Sequence, residues 1–291
     1  MARRRQRPPY AGDTVIDSGH GYGQSYAHAI ATMAIVEAYA MTQDPGLKSI
    51  GQAMVDHCLD RQNIVGDYPS GWSYNKGTDE AHPKPKDDAS VSGWFVMALK
   101  SAAAGGLDIG DGMTGAKRYL ENAWKHANDV WKENGDSWEA IGPYDESVFP
   151  YAYNPWDDSL YKEGRHFLDN APMGALMAVF LGRKAGDTML ESMGNYIMNK
   201  QLPKAYPTDT YFMYYNTLAI FQLGGERWER WNTTVRDMLI DAQRPAGDGC
   251  FDGSWDWEGT EFHGNNTGRL LSTAFCCLSL EVYYRYVRVN P

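Results

Sequence analysis

The stretch Asp87-Asp-Ala-Ser-Val-Ser-Gly-Trp-Phe-Val-Met-Ala-Leu-Lys-Ser-Ala-Ala-Ala-Gly-Gly106 decides how the rest of the chain is read. Asp88 is a short polar side chain placed to accept from the first free amides of a helix, and Gly105 and Gly106 supply the φ > 0 stop at the other end. Between these caps Val91, Trp94, Phe95, Ala98, Leu99 and Ala102 recur at helical spacing, and Val96, Met97 and Ala103 fill the intervening faces. A helix apolar nearly all round is predicted to be buried.

The same pattern recurs along the chain. Tyr26 to Met41 places Met33-Ala34-Ile35 where the first stretch has Met97-Ala98-Leu99. Further copies run from Leu168 to Gly182, from Thr210 to Gly225 and from Leu270 to Tyr286. Each of the first four is followed by a helix of a different kind. Asp44 and Pro45 open one at Leu47 to Gln62, whose Ile50, Met54, Cys58 and Leu59 make a single stripe opposite Lys48, Gln52, Asp56 and Asp60. Ala116 to Trp131, Met189 to Gln201 and Trp228 to Gln243 are one-sided in the same way. Alternation of all-apolar and one-sided helices predicts helical hairpins with one helix inside and one outside. The fold class expected is all-α, a single α/α toroid over residues 13–291 with five inner and four outer helices, behind a disordered basic leader or linker over residues 1–12.

Composition bounds the function. The 291 residues are 43% apolar and 13% aromatic, with 10 Trp and 19 Tyr, which is ample for one large core. No run approaches the ~18–20 apolar residues that a membrane span needs. A formal charge of -10 argues against nucleic acid as a partner, since phosphate binding needs a basic face. The basic cluster Arg3-Arg4-Arg5-Gln6-Arg7 has no apolar stretch behind it and does not read as a signal peptide. Cys58, Cys250, Cys276 and Cys277 lack framework spacing and read as reduced thiols of a cytoplasmic protein.

Three loops interrupt the helices: Asn63 to Lys86, Gly135 to Gly164 and Arg244 to Asn266. Loops of this length in a compact domain are usually functional. They carry Gly71-Trp72, the aromatic run that holds Tyr151, Tyr153 and Trp156 with Asp157-Asp158, and Gly253-Ser254-Trp255. A Gln at the end of a one-sided helix, Gln62 or Gln243, can bond its amide to backbone at the next helix start while the Trp ring shields those bonds from water. Those four residues read as structural staples.

Gln62 with Gly71-Trp72, and Gln243 with Asp252-Gly253-Ser254-Trp255, resemble the repeat of the prenyltransferase and squalene oxidase repeat family, which includes squalene-hopene cyclases and protein prenyltransferase β subunits. The helix starts Asp88-Ala-Ser-Val-Ser-Gly-Trp94 and Ser272-Thr-Ala-Phe-Cys-Cys-Leu resemble it too, and the likeness runs from about Gly19 to Tyr286. It implies an α/α toroid acting on, or holding, an isoprenoid. The zinc site of the prenyltransferases would need Cys and His where this chain has Ser90 and Ser272, so no metal and no cofactor are expected there. Asp248 and Cys250 with His263 form a second, loop-borne metal candidate. The Asp-x-Asp-Asp acid of the class II cyclases is incomplete in Asp87-Asp88 and in Asp157-Asp158, which lack the third aspartate.

Two functions are therefore expected of one place. The inner helices would gather their N-termini on one face of the ring with the three loops, each N-terminus carrying a partial charge of ~0.5 e. There, Trp94, Trp156, Tyr151, Tyr211 and His20, with Tyr22, Phe212, Tyr214 and Tyr215, would line a mouth for an apolar small molecule or a protein segment. Alternatively Asp88, Asp157 and Asp158 would act as acids in an enzyme that works on an isoprenoid or a polysaccharide. Asp88 is read equally as a helix cap, and His28 as a core histidine. The chain can also stand as one part of a larger multidomain protein.

Overall fold

The protein is described from a computed structural model that covers residues 24–74, 84–133, 146–160, 168–247, 249–260 and 264–285. It is mostly helical, with a few very short strands among the described residues. No helix among them is long and apolar enough to cross a membrane. The chain divides into two compact units, Met1–Ala123 with Tyr151–Lys162, and Trp124–Pro150 with Glu163–Pro291.

The first unit begins with α1 (Gln24–Thr42) and α2 (Pro45–Asp60). Asp44 caps α2, accepting from the Gly46 and Leu47 amides, and Pro45 occupies the first turn, where its missing N–H costs nothing. The buried stripe of α2 is Gly51, Met54, Val55 and Cys58, about one position round from the expected one, and Ile50 faces outward. Gly51 accounts for the rotation: a Cβ there would stand 3.3 Å from Leu107 and 3.4 Å from Val36, so the glycine brings α2 close to its neighbours. After the β1 (Ile64–Val65) and β2 (Tyr68–Pro69) hairpin come β3 (Asp87–Asp88), α3 (Ala89–Ala104) and α4 (Gly112–Glu133). α3 is buried along most of its length, as its all-apolar faces require, with Asp88 as its N-cap. The left-handed stop falls on Gly106 alone, because Gly105 stays right-handed. α1 packs against both α2 and α3. It buries Ala29, Met33, Val36 and Tyr39 but leaves Ile30 and Met41 exposed, so it is one-sided where full burial was expected.

A feature absent from the sequence reading closes this unit. β3 pairs antiparallel with β4 (Ala152–Asn154), which pairs with β5 (Ser159–Leu160), joining the second loop to the start of α3 in one small sheet. The Ala89 amide extends the pairing to the Tyr151 carbonyl at 2.9 Å.

The second unit holds α5 (Ala171–Phe180), α6 (Thr188–Tyr196) continued by a π turn over Ile197–Gln201, α7 (Thr210–Leu223), α8 (Gly225–Ala242) and α9 (Gly264–Arg285). The α4 residues from Trp124 onward also belong to it. α5 and α7 are the buried helices, and α7 lies between α5 and α9 while packing on α8. α9 breaks at Gly268 (φ 64°), and its regular part follows, near the Leu270 start expected from sequence.

The Gln and Trp staples occur in both units with matching bonds. Trp72 Nε1 donates to the Cys58 carbonyl at 2.8 Å in the last turn of α2, and Trp255 Nε1 donates to the Leu239 carbonyl at 2.8 Å in the last turn of α8. Each indole satisfies one carbonyl left over at a helix end. Gln62 Nε2 donates to the carbonyls of Ser70 and of Gly112, the first residue of α4, while Gln243 Nε2 donates to the Gly253 carbonyl. The backbone repeats too: Asn63 N–H donates to the Gly71 carbonyl and Arg244 N–H to the Ser254 carbonyl. Ser92 near the start of α3 and Ser272 in α9 donate to the carbonyls of Trp72 and Trp255. Ser272 is thus a packing residue.

Candidate functional site

The site is built on the junction of β3 with α3, where two adjacent aspartates are buried and face opposite ways. Strand alternation pairs Asp87 with Tyr153 on one face of the sheet and Asp88 with Ala152 on the other.

Asp87 is fully buried. Its carboxyl accepts from Asn63 Nδ2 at 2.7 Å, from Ser70 Oγ at 2.5 Å and from the Gly71 amide. Gly71 has to be glycine, since a Cβ there would lie 2.8 Å from Ser92 Oγ and 2.9 Å from the Asp87 carboxyl carbon. Burial pushes Asp87 up to about 7, against the pull of these donors, and the neighbouring Asp88 charge pushes the same way.

Asp88 caps α3 through the Val91 amide, which reaches its Oδ1 at 2.9 Å, and Ser90 Oγ donates to the same oxygen at 2.6 Å. Around it stands a closed ring of hydroxyls. Tyr26 hydrogen-bonds to Ser90 Oγ, Tyr74 donates to the Tyr26 hydroxyl at 3.4 Å, and Tyr151 hydrogen-bonds to both Tyr74 and Asp88. The Tyr26 and Tyr74 rings lie 5.5 Å apart. Tyr74 is pinned from behind, because Arg61 and Ser25 both donate to its carbonyl. The three tyrosines are half-buried, while Asp88 and Ser90 are buried beneath them.

The ring has more contacts than hydroxyl protons. The five contacts are Tyr74 to Tyr26, Tyr26 to Ser90, Ser90 to Asp88, Asp88 to Tyr151 and Tyr151 to Tyr74. The four hydroxyls bring four protons, one short of a saturated ring. The Tyr151 hydroxyl faces both Tyr74 and the Asp88 carboxyl and is the donor that the two share. Burial raises the Asp88 carboxyl above its ordinary range, opposed by the bonds from Ser90, Val91 and Tyr151. Burial followed by the nearby Asp88 charge raises both Tyr74 and Tyr151. Trp94 sits one turn along α3 on the Ser90 side, almost fully buried.

Within the first unit, the turn aspartates and Trp156 expected at the mouth have partners other than Asp88. Asp157 and Asp158 lie in the exposed β4–β5 turn, where Asp157 accepts from Ser159 Oγ at 2.5 Å and Asp158 from the Tyr153 hydroxyl. Tyr153 shares its face of the sheet with Asp87, so the turn aspartates are tied to the Asp87 side and not gathered at Asp88. Trp156 donates to the Pro85 carbonyl at 3.1 Å. Tyr211 belongs to the second unit, in an aromatic cluster with Phe212, Tyr215 and Phe275. Tyr214 and Tyr215 are core residues there, each 1% exposed. His20 and Tyr22 lie outside the described residues, as do Asp248 and His263 of the loop metal candidate. Cys250 of that candidate is exposed on a short 3-10 turn. No three His, Cys, Asp or Glu side chains converge on a metal-sized position among the described residues. His28 is buried, bonded through Nε2 to the Met54 carbonyl at 3.0 Å and packed against His57, and burial lowers its proton affinity.

Sequence reasoning found Asp88 and Tyr151 but missed Tyr26, Tyr74 and Ser90 as their partners. One available signal was Asp88-Ala89-Ser90 itself, a carboxyl with a hydroxyl two residues on. Comparison of the chain with protein-family models, with curated proteins and with solved structures returns no match.

Proposed function

We propose that this chain is a ligand-binding α/α toroid of the terpenoid cyclase and prenyltransferase kind, which takes an apolar, isoprenoid-like molecule at the tyrosine-walled N-terminal end of α3. The observation that carries the reading is the hydroxyl ring around the buried Asp88. A half-buried aromatic wall with a few convergent polar groups is the usual make-up of a small-molecule site. The toroid itself is supported by the way successive apolar helices lie side by side within each unit, α1 on α3 and α5 on α7 on α9, each of α1, α5 and α7 also packing on a one-sided partner. The duplicated staples support it further.

A second reading rests on the same ring. A buried carboxyl whose proton affinity is raised by burial, backed by a chain of hydroxyls, is the arrangement an acid catalyst acting on an alkene or a glycosidic oxygen requires. Asp88 is the acid in that case.

One experiment separates the two. The purified protein is incubated with squalene and geranylgeraniol, or with soluble oligosaccharides, and binding is followed by native mass spectrometry and product formation by chromatography. Binding of an isoprenoid that Tyr151→Ala weakens and Asp88→Asn preserves supports the first reading. Product formed by the unaltered protein and lost in Asp88→Asn supports the second. If neither class of probe binds or reacts, both are wrong.

A further inference from the structure

On the other face of the small sheet lies an open cleft of about 230 Å³, contained wholly within the first unit. Its chemistry differs from that of the hydroxyl ring. Arg118, Asn122 and Asp158 present a guanidinium, an amide and a carboxylate, while Ser70 and Tyr153 add hydroxyls and Tyr68 an exposed ring. We propose that this cleft binds a single uncharged sugar ring, independently of whatever the Asp88 site holds.

Four observations lead there. The first is size: apolar drug-like sites run to ~300–1,000 Å³, and a smaller polar cleft suits one pyranose rather than an extended chain. The second is hydrogen-bonding type. Arg118 can only donate, an ionised Asp158 can only accept, and Asn122 does both, which is the mixture that neighbouring hydroxyls, each a donor and an acceptor, satisfy together.

The third observation is charge. Arg118 over the Tyr68 ring and Asp158 on the Tyr153 hydroxyl line the same cleft, so it carries a cation and an anion together. Such a pair cancels overall and gives no net preference for an anion or a cation. The fourth is preorganisation. The Arg118 guanidinium is seated over the Tyr68 ring, 4.6 Å from its centroid, which fixes the fork's plane. The Tyr153 hydroxyl accepts from Asn122 and donates to Asp158, so three of the groups are already bonded in series. Asp158 adopts a left-handed backbone (φ 56°) at the turn, an uncommon conformation outside glycine that aims its carboxylate toward Tyr153.

The test is a ¹⁵N-detected titration of the full chain with methyl glucoside, methyl galactoside and methyl mannoside, with inorganic phosphate and glycine as the charged alternatives. The expected result is saturable shifts from at least one glycoside, confined to residues 65–70, 118–122 and 153–158. Asn122→Ala and Asp158→Asn should each weaken that binding about tenfold or more with the melting temperature held. Absence of shifts with every glycoside overturns the proposal. So does binding of phosphate or glycine alone, which would make the cleft an ion or zwitterion site, and so does glycoside binding that both variants retain.

Discussion

The buried Asp87 should make this protein lose stability as pH rises through neutrality, and the size of the effect follows from its surroundings. Its folded-state value of about 7 lies above the ordinary 3.8, a gap of about 3 pH units. Between those limits the native state binds the proton and the unfolded state does not, so unfolding is favoured progressively as pH rises. At ~1.4 kcal/mol per pH unit the whole window is worth on the order of 4 kcal/mol, of which roughly 2–3 kcal/mol falls between pH 5 and pH 8. Asp87→Asn removes the titration while keeping the shape. Its side-chain carbonyl and amide stand where the two carboxyl oxygens meet Asn63 and Ser70, with the Ser70 hydroxyl turned to accept. Urea unfolding of both proteins followed by circular dichroism at pH 5, 6, 7 and 8 measures the contribution of Asp87 together with its coupling to Asp88. The unaltered protein should fall relative to the variant by roughly 2–3 kcal/mol across that range. A difference that stays constant with pH would refute the reasoning and show Asp87 to be an ordinary ionised carboxylate.

Other expectations follow from packing and caps. Gly174→Ala gains ~1 kcal/mol of helix propensity but drives a Cβ to 2.6 Å from the Phe149 ring and 2.8 Å from Met193 Sδ; overpacking costs ~1–3 kcal/mol, so thermal melting should show net loss. Trp72→Phe and Trp255→Phe each strand a helix-end carbonyl and leave a void, and each should cost roughly 2–4 kcal/mol by urea unfolding. Equal loss at the two sites would mark them as one device used twice. Asp209→Ala removes the bond to the Phe212 amide that opens α7 and should cost ~1 kcal/mol, most of it recovered by Asp209→Ser.

What was legible in the sequence was whatever a local signal dictates. Double glycines, Asp44 before Pro45, and the contrast between all-apolar and one-sided helices placed the α2, α3, α7 and α8 boundaries within a few residues, because caps and periodicity act over one or two turns. Gln62 and Trp72 were readable as staples for the same reason. The β3–β4–β5 sheet was not, since strands of two or three residues carry no period and their partners lie in separate loops. The hydroxyl ring was hidden for that reason as well: Tyr26, Tyr74, Ser90 and Tyr151 come from four segments, and only the sheet brings Tyr151 to the start of α3. Asp157-Asp158 looked like an acid pair because adjacency in sequence was the sole clue; in a turn, adjacency sends the two side chains to different partners.

The backbone clasp that joins Asn63 to Gly71, and Arg244 to Ser254, closes stretches of unequal length with the same bond. It therefore works as a collar: whatever is threaded between its ends, the flanking helices meet at one spacing. Loop-closure entropy grows only logarithmically, at ~0.6 kcal/mol per doubling of length, so a longer insert between the ends costs little once the collar is shut. Residues 245–253 are for this reason a natural port for a reporter peptide. The indole of Trp255, fully buried behind the collar, would then report by its fluorescence whether the graft has left the frame intact.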